Sequence, residues 1–274
     1  MLDRLVGTST VLGAAYHHDT GVIKGGGANQ NTPNRIQDLI KVLCDEDADP
    51  FDHLENIQEI EVQGLFKALI KALGDDNLSI RRDALRAIDT LTSTIIIMTS
   101  TKEVPAELLK ALPEAELFKA LIKTSGDDNL RHDALRTIVM LAREIKEIPK
   151  VELAESLKVL TKALFDKESE GVRQNASSAI GRIVQKSEIP EEELLKLFEA
   201  LTKALDDKNE SVRCNALYTI DYIFDKAIST VFKKEPKLIQ ALTEAIKRET
   251  DSIALNSYIP SLLKKIERLP TLCN

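Results

Sequence analysis

The chain has 274 residues, 43% of them hydrophobic, 30% charged and 4% aromatic, with no Trp and a formal net charge of −7. That composition fits a folded protein rather than a disordered one. The acidic balance argues against a general nucleic-acid binder, which needs a Lys/Arg surplus on its docking face. No apolar run approaches the roughly 20 residues that span a bilayer; the longest greasy patch is Ile95-Ile96-Ile97-Met98.

Residues 1–31 contain Gly7, Gly13, Gly21 and Gly25-Gly26-Gly27. These break every helical pattern and predict a flexible Gly-rich tail. The tail has no basic stretch followed by a sustained apolar core, so no secretory signal is expected. No Gly-Lys-Ser/Thr follows the glycines, which removes a phosphate loop, and His17-His18-Asp19 is expected to be solvated rather than metal-bound. Thr32-Pro33 and Asp49-Pro50 are helix-start signals and predict a terminal helix pair over 32–61.

The organising motif comes next along the chain. Arg81-Arg82-Asp83-Ala84 leads to Ile88, and the pattern Arg-x-(Asp/Asn)-Ala-x-x-x-Ile returns from Arg131 to Ile138, from Arg173 to Ile180 and from Arg213 to Ile220. A period of this size marks stacked helical repeats, each burying its apolar face against its neighbours. The first unit shows the design. Leu65, Phe66, Ala68, Leu69, Ala72 and Leu73 form a helical stripe, Gly74 is expected to end that helix in a left-handed conformation, and Asp75-Asp76-Asn77 caps the next helix. Ile80, Ala84, Ile88 and Leu91 form the second stripe. Repeats are predicted over 62–99, 104–146, 148–187 and 189–228, opening at Val104-Pro105, Ile148-Pro149 and Ile189-Pro190. A terminal pair is predicted over 235–268, with Ala254 in place of the Arg and Pro260 interrupting its second helix. The architecture predicted is all-α, a right-handed α-solenoid of about six antiparallel helix pairs.

The joined turn and helix start (Asp75 to Arg81, Asp166 to Arg173, Asp207 to Arg213) resembles the HEAT-repeat family of armadillo-like solenoids, over about residues 33–268. The resemblance implies that the second helix of each pair lines a concave surface. It also implies a structural ladder of turn Asp and following Arg, carried over as Asp75/Arg81, Asp127/Arg131, Asp166/Arg173 and Asp207/Arg213. Asp83, Asp133, Asn175, Asn215 and Asn256 share one position and are read as a polar ladder between units.

Helical geometry leaves one further row on the second helices, the residue after each ladder Arg and those four and eight positions on. It comprises Arg82, Arg86 and Thr90; His132, Arg136 and Met140; Gln174, Ser178 and Arg182; Cys214, Tyr218 and Tyr222. Arg and Tyr are favoured interface anchors. The expected function is therefore a non-catalytic scaffold or adaptor holding a protein or peptide partner, acidic or phosphorylated, with Arg82, Arg86, Arg136 and Arg182 pairing its charges.

The alternative from the same resemblance is a nucleic-acid enzyme of the DNA-glycosylase kind or a bilin-lyase-like protein. The absence of Trp and the acidic charge disfavour the first, and the unit length the second. The sequence has no His-Glu pair of the kind di-iron members use. No catalytic residue, metal or cofactor is expected. Cys214 is read as a packing residue, and Glu191-Glu192-Glu193 as helix-start chemistry. Cys44, Cys214 and Cys273 are too scattered for a disulfide framework, which fits a reducing cytoplasm.

Overall fold

The computed structural model describes residues 39–40, 42–43, 59–101, 113–144, 150–234, 236–248 and 258–268. Among them every regular element is a helix, ten in all. The N-terminal tail with its His pair, the helix starts at Thr32-Pro33, Asp49-Pro50, Val104-Pro105 and Ile148-Pro149, and Ala254 and Asn256 lie outside the described residues. The chain divides into two compact units, Met1–Ile145 and Lys146–Asn274.

The first unit contains α1 (Glu59–Ala72), α2 (Leu78–Thr101), α3 (Glu114–Thr124) and α4 (Arg131–Glu144). Each odd helix packs on the even helix that follows it, α1 also packs on α3, and α2 on α4. Two layers result. The core between them is built from the two predicted stripes: Leu65, Phe66 and Leu69 meet Ala84, Ile88 and Leu91, all fully buried. Phe118 and Leu121 with Ala134, Ile138 and Leu141 repeat the arrangement in the second pair.

The second unit contains α5 (Lys150–Ala163), α6 (Glu170–Lys186), α7 (Glu191–Ala204), α8 (Glu210–Lys234), α9 (Pro236–Arg248) and α10 (Ile259–Glu267). The outer order is α5–α7–α9 and the second layer is α6–α8–α10. Phe198 and Phe224 anchor the contact between α7 and α8, with ring centroids 6.3 Å apart. Truncating either ring to Ala removes packing of about 3–5 kcal/mol. Pro260 lies in the first turn of α10, where its missing N–H has no helical partner to lose. It starts the helix rather than interrupting it, a correction to the sequence reading.

The turns between paired helices also differ from expectation. Neither Gly74 nor Gly126 has a left-handed backbone. The chain leaves each first helix through tight three-residue bonds: Gly74 N–H to Lys71 O (3.0 Å), Gly126 N–H to Lys123 O (3.1 Å), Phe165 N–H to Lys162 O (3.2 Å) and Asp206 N–H to Lys203 O (3.1 Å). Phe165 and Asp206 hold the same position as the two glycines, which a right-handed backbone permits for any side chain.

Candidate partner-binding face

Below each turn sits an acid that organises the start of the second helix. The Oδ1 atoms of Asp75, Asp127, Asp166 and Asp207 accept from the backbone N–H two residues on, at 2.8, 2.9, 3.0 and 2.8 Å. This is an Asx turn, which satisfies donors the coming helix leaves open. In two cases the other carboxylate oxygen reaches another repeat. Arg81 Nη1 donates to Asp127 Oδ2 at 2.8 Å. Arg173 grips Asp207 twice, Nε to Oδ2 at 2.6 Å and Nη2 to Oδ1 at 3.2 Å.

Arg81 and Arg173 thus each reach the turn Asp of the next repeat, a contact that the pairing carried over from the resemblance does not include. Contact of an Arg with its own turn is made at backbone oxygens. The Arg following a turn is drawn to that turn's carbonyls: Arg131 Nε to Ser125 O (3.1 Å), Arg173 Nη1 to Asp166 O (3.1 Å) and Arg213 Nη1 to Asp207 O (2.9 Å). Arg131 also bonds Asp128.

Electrostatics follow the geometry. The Asn129 N–H, helped by Arg81 and working against burial, holds the Asp127 carboxyl below its ordinary value. Burial pushes Asp207 up, but Arg173 and the Asn209 N–H outweigh it and the carboxyl ends lower. The bond to Asp207 raises Arg173 further.

In the first unit the predicted row lies on α2 and α4. Arg82, Arg86, His132 and Arg136 are exposed, and Thr90 and Met140 half-buried. His132 Nδ1 lies 3.1 Å from Asp133 Oδ1. Arg136 is committed elsewhere: its Nη2 donates to Asp89 Oδ2 at 2.6 Å, while Thr137 Oγ1 donates to Asp89 Oδ1 at 3.0 Å. Burial raises the Asp89 carboxyl, and Arg136 and Thr137 only partly oppose it. Sequence reasoning missed Asp89. Its counterpart in the second unit, eight residues after the ladder Arg, is Asp221, which accepts from Ser261 Oγ at 3.0 Å and pairs with Lys265 Nζ at 3.0 Å. Each acid thus ties one second helix to a hydroxyl and a cation on the next.

In the second unit the row lies on α6 and α8. Tyr218 and Tyr222 keep 36% and 41% of their surface exposed, although aromatics of this size are usually covered. Both are held in place. Gln185 Nε2 donates to Tyr218 Oη at 3.1 Å, and Tyr222 Oη donates to Gln185 O at 3.2 Å. The Tyr218 ring stands edge-on to Tyr258, centroids 5.3 Å apart, and Lys226 Nζ lies 5.6 Å from the Tyr222 centroid. Gln174 is exposed; Ser178, Arg182 and Cys214 are half-buried.

Two clefts open along α6 and α8, the smaller of them beside Tyr218. One, of about 210 Å³, is lined by Ser177, Ser178, Gly181, Arg182, Gln185, Asn215, Tyr218 and Thr219. The other, of about 440 Å³, shares Ser178 and Asn215 and reaches Gln174, Cys214 and Glu210. Asn215 Nδ2 crosses from α8 to Ser177 Oγ on α6 at 3.1 Å. Gln185 was the other residue missed by sequence reasoning; it lies three positions beyond Arg182 on the same helical face, a spacing that could have found it. Among the described residues no group of three or more His, Cys, Asp or Glu is placed to hold a metal ion, and no helix is long and apolar enough to cross a membrane.

Residues 157–262 match a family model described as HEAT repeats. No curated protein matches the sequence. Among solved structures the chain is similar to an engineered protein from a structural genomics consortium, at 17% identity and TM-score 0.54, with 94% of this chain and 96% of that one covered. It is also similar to a computationally designed armadillo repeat protein for modular peptide recognition, at 20% identity and TM-score 0.54, covering 93% and 98%. A designed armadillo repeat protein in complex with the peptide (KR)4 matches at 20% identity and TM-score 0.53, covering 84% and 98%. At these identities the likeness is one of fold.

Proposed function

We infer that this chain, a HEAT/armadillo-like helical-repeat protein, is a non-catalytic scaffold that binds an extended segment of a protein partner on the exposed face of its second helices. The observation that carries this reading is the pair Tyr218 and Tyr222, exposed yet fixed through their hydroxyls by Gln185. Rings ordered in advance lose little side-chain freedom on binding, which is what an interface anchor needs. Solved relatives in fold were designed for peptide recognition, which supports the same use here.

The partner segment we propose is acidic, the reverse of the basic (KR)4 peptide held by the designed armadillo repeat protein. Each unit carries positive charge of its own on the second helices, Arg82 and Arg86 on the first and Arg182 on the second. Arg136 is a poor probe of this, because reversing it would set a second carboxylate beside Asp89. The net charge of −7 weighs against nucleic acid as the partner. A reducing compartment such as the cytoplasm suits the half-exposed thiol of Cys214.

The test is a displayed library of random peptides panned on the full chain and on a Tyr218→Ala/Tyr222→Ala double variant whose helix content is checked by circular dichroism. Peptides enriched on the parent chain should be lost on the variant. Peptides retained equally by both, or no enrichment above a blank surface, would end the proposal.

A further inference from the structure

We propose that the second half of α2, residues 91–101, is a strand-forming segment held in a helix by its packing, and that it joins copies of this chain through an intermolecular β-sheet when the first unit opens. The inference does not depend on the partner-binding role above. Seven of the eleven residues from Leu91 to Thr101 are Ile or Thr, and between Asp89 and Lys102 the chain has no charged residue, Gly or Pro. β-Branched residues lose rotamer freedom in a helix and fit a pleated surface. An uncharged run of this composition is the pattern from which stacked sheets of identical segments form.

The other second helices are guarded at the same place. Five and six positions after the Ile that closes each repeat motif stand Arg143 and Glu144 on α4, Gln185 and Lys186 on α6, and Asp225 and Lys226 on α8; on α2 these are Ser93 and Thr94. A charge there sets like against like when identical chains stack, and so blocks the sheet. The α2 segment has no such guard.

Within the helix the segment is only partly satisfied. Leu91, Thr92, Thr94, Ile95 and Met98 are buried, at the spacing expected of a helix that packs on α1 and α4. Ile97 lies outside that stripe and is 47% exposed. Thr92 Oγ1 is buried and has no hydrogen-bond partner among the described residues, which costs stability in this conformation. Other hydroxyls turn onto the helix itself. Ser93 Oγ donates to Asp89 O at 2.7 Å, Ser100 Oγ to Ile96 O at 2.8 Å and Thr101 Oγ1 to Ile97 O at 3.1 Å, and bonds of this kind slightly weaken a helix.

As a strand the same residues alternate, with Thr94, Ile96 and Met98 on one side and Ile95 and Ile97 on the other. Both sides then carry an apolar centre, and stacked copies bury Ile95, Ile96, Ile97 and Met98 together. Local preference and tertiary packing thus pull in opposite directions, and packing wins while α2 stays docked on α1 and α4.

The test agitates the full chain at a urea concentration that unfolds a small fixed fraction of it by circular dichroism, and follows thioflavin T fluorescence. The product is taken to fibre diffraction and protease digestion. The parent should give a rise in fluorescence, a reflection at about 4.7 Å and a protease-resistant core containing residues 91–101. Ile97→Lys adds a charge where the native side chain is exposed, so it should leave the urea midpoint unchanged and abolish the rise. Phe165→Lys adds the same charge at another exposed side chain, outside the segment, and should convert as the parent does. Each variant is compared at its own urea concentration for the same fraction unfolded, so that a change in stability does not enter the comparison. No rise from the parent, an Ile97→Lys chain that converts as fast as the parent, equal slowing by Phe165→Lys, or a resistant core elsewhere in the chain would overturn the proposal.

Discussion

Consider Asp207→Asn against Asp127→Asn. Both substitutions keep an oxygen for the Asx turn and remove one negative charge from a bond between repeats. Their settings differ. The Arg173 and Asp207 side chains are 8% and 12% exposed and joined by two hydrogen bonds, whereas Arg81 and Asp127 are 25% and 21% exposed and joined by one. Removing the charge from Asp207 leaves a nearly buried guanidinium without its counter-ion. That costs roughly 3 kcal/mol, the lower end of the range for breaking a buried pair, because the Asn oxygen and Asp166 O still accept from Arg173. The more solvated Asp127 pair should lose about 1 kcal/mol.

The assay is urea unfolding followed by circular dichroism and by tyrosine fluorescence, the latter because the chain lacks Trp and three of its four Tyr, Tyr218, Tyr222 and Tyr258, lie in the second unit. Repeat arrays need not unfold in a single step, so Asp207→Asn is read from the tyrosine transition and Asp127→Asn, which lies in the first unit, from the circular-dichroism transition. The pH dependence gives a second check. Both carboxyls titrate below their ordinary value in the folded state. Their contribution is present above the unfolded pKa near about 4 and is lost as pH falls through the folded value. The gap between parent and Asp207→Asn should therefore close in acid. Destabilisations of the two variants that agree within about 0.5 kcal/mol would refute the argument from burial.

Gly181→Ala should destabilise despite the better helix propensity of Ala, because the added Cβ meets Thr219 Oγ1 at 2.9 Å. An overpacking cost of about 1–3 kcal/mol exceeds a propensity gain of about 1 kcal/mol. Thr219→Ala should rescue the variant in a double-mutant cycle, and additivity of the two changes would disprove the clash. Asp89→Asn should leave stability at pH 7 unchanged or raise it by up to about 1 kcal/mol, since burial holds the folded carboxyl above its ordinary value. For an acid shifted upward the penalty is absent below the unfolded pKa and grows as pH rises through the folded one. The variant's advantage should therefore vanish in acid, and thermal melts at several pH values read it directly; a loss above about 1 kcal/mol at pH 7 would show that the Arg136 pair outweighs desolvation.

The repeat was visible because packing forces it. Ala84, Ala134, Ala176 and Ala216 are all fully buried, and a helix that meets neighbours on two sides cannot vary there. The Asx turns were visible too, since an acid two residues before a helix-start donor is a local arrangement. The bonds that join repeats were less legible. The resemblance implied that each Arg meets the Asp of its own turn; Arg173 and Arg213 do so at the backbone oxygens of Asp166 and Asp207, while the carboxylates of Asp127 and Asp207 are met by Arg81 and Arg173 of the repeat before. The position held by Asp89, Val139, Gly181 and Asp221 shows no pattern by residue type, so it drew no notice. Yet it faces the next second helix each time it is charged or small: Asp89 on Thr137, Gly181 on Thr219, Asp221 on Ser261.

That one position also shapes the face beside it. Where it is Asp89, it draws Arg136 back onto α2, so part of the positive charge in the first unit is spent within the structure. Where it is Gly181, no side chain projects from that position and the cleft between α6 and α8 stays open. Gly181→Asp should therefore act more strongly than Gly181→Ala: it should force α6 and α8 apart at Thr219, where a Cβ alone would lie 2.9 Å from Oγ1, and put a carboxylate into the opening beside Tyr218. A urea-unfolding midpoint no lower than that of Gly181→Ala would mean that the helices have room for the larger side chain, and the argument from close approach would fall with it.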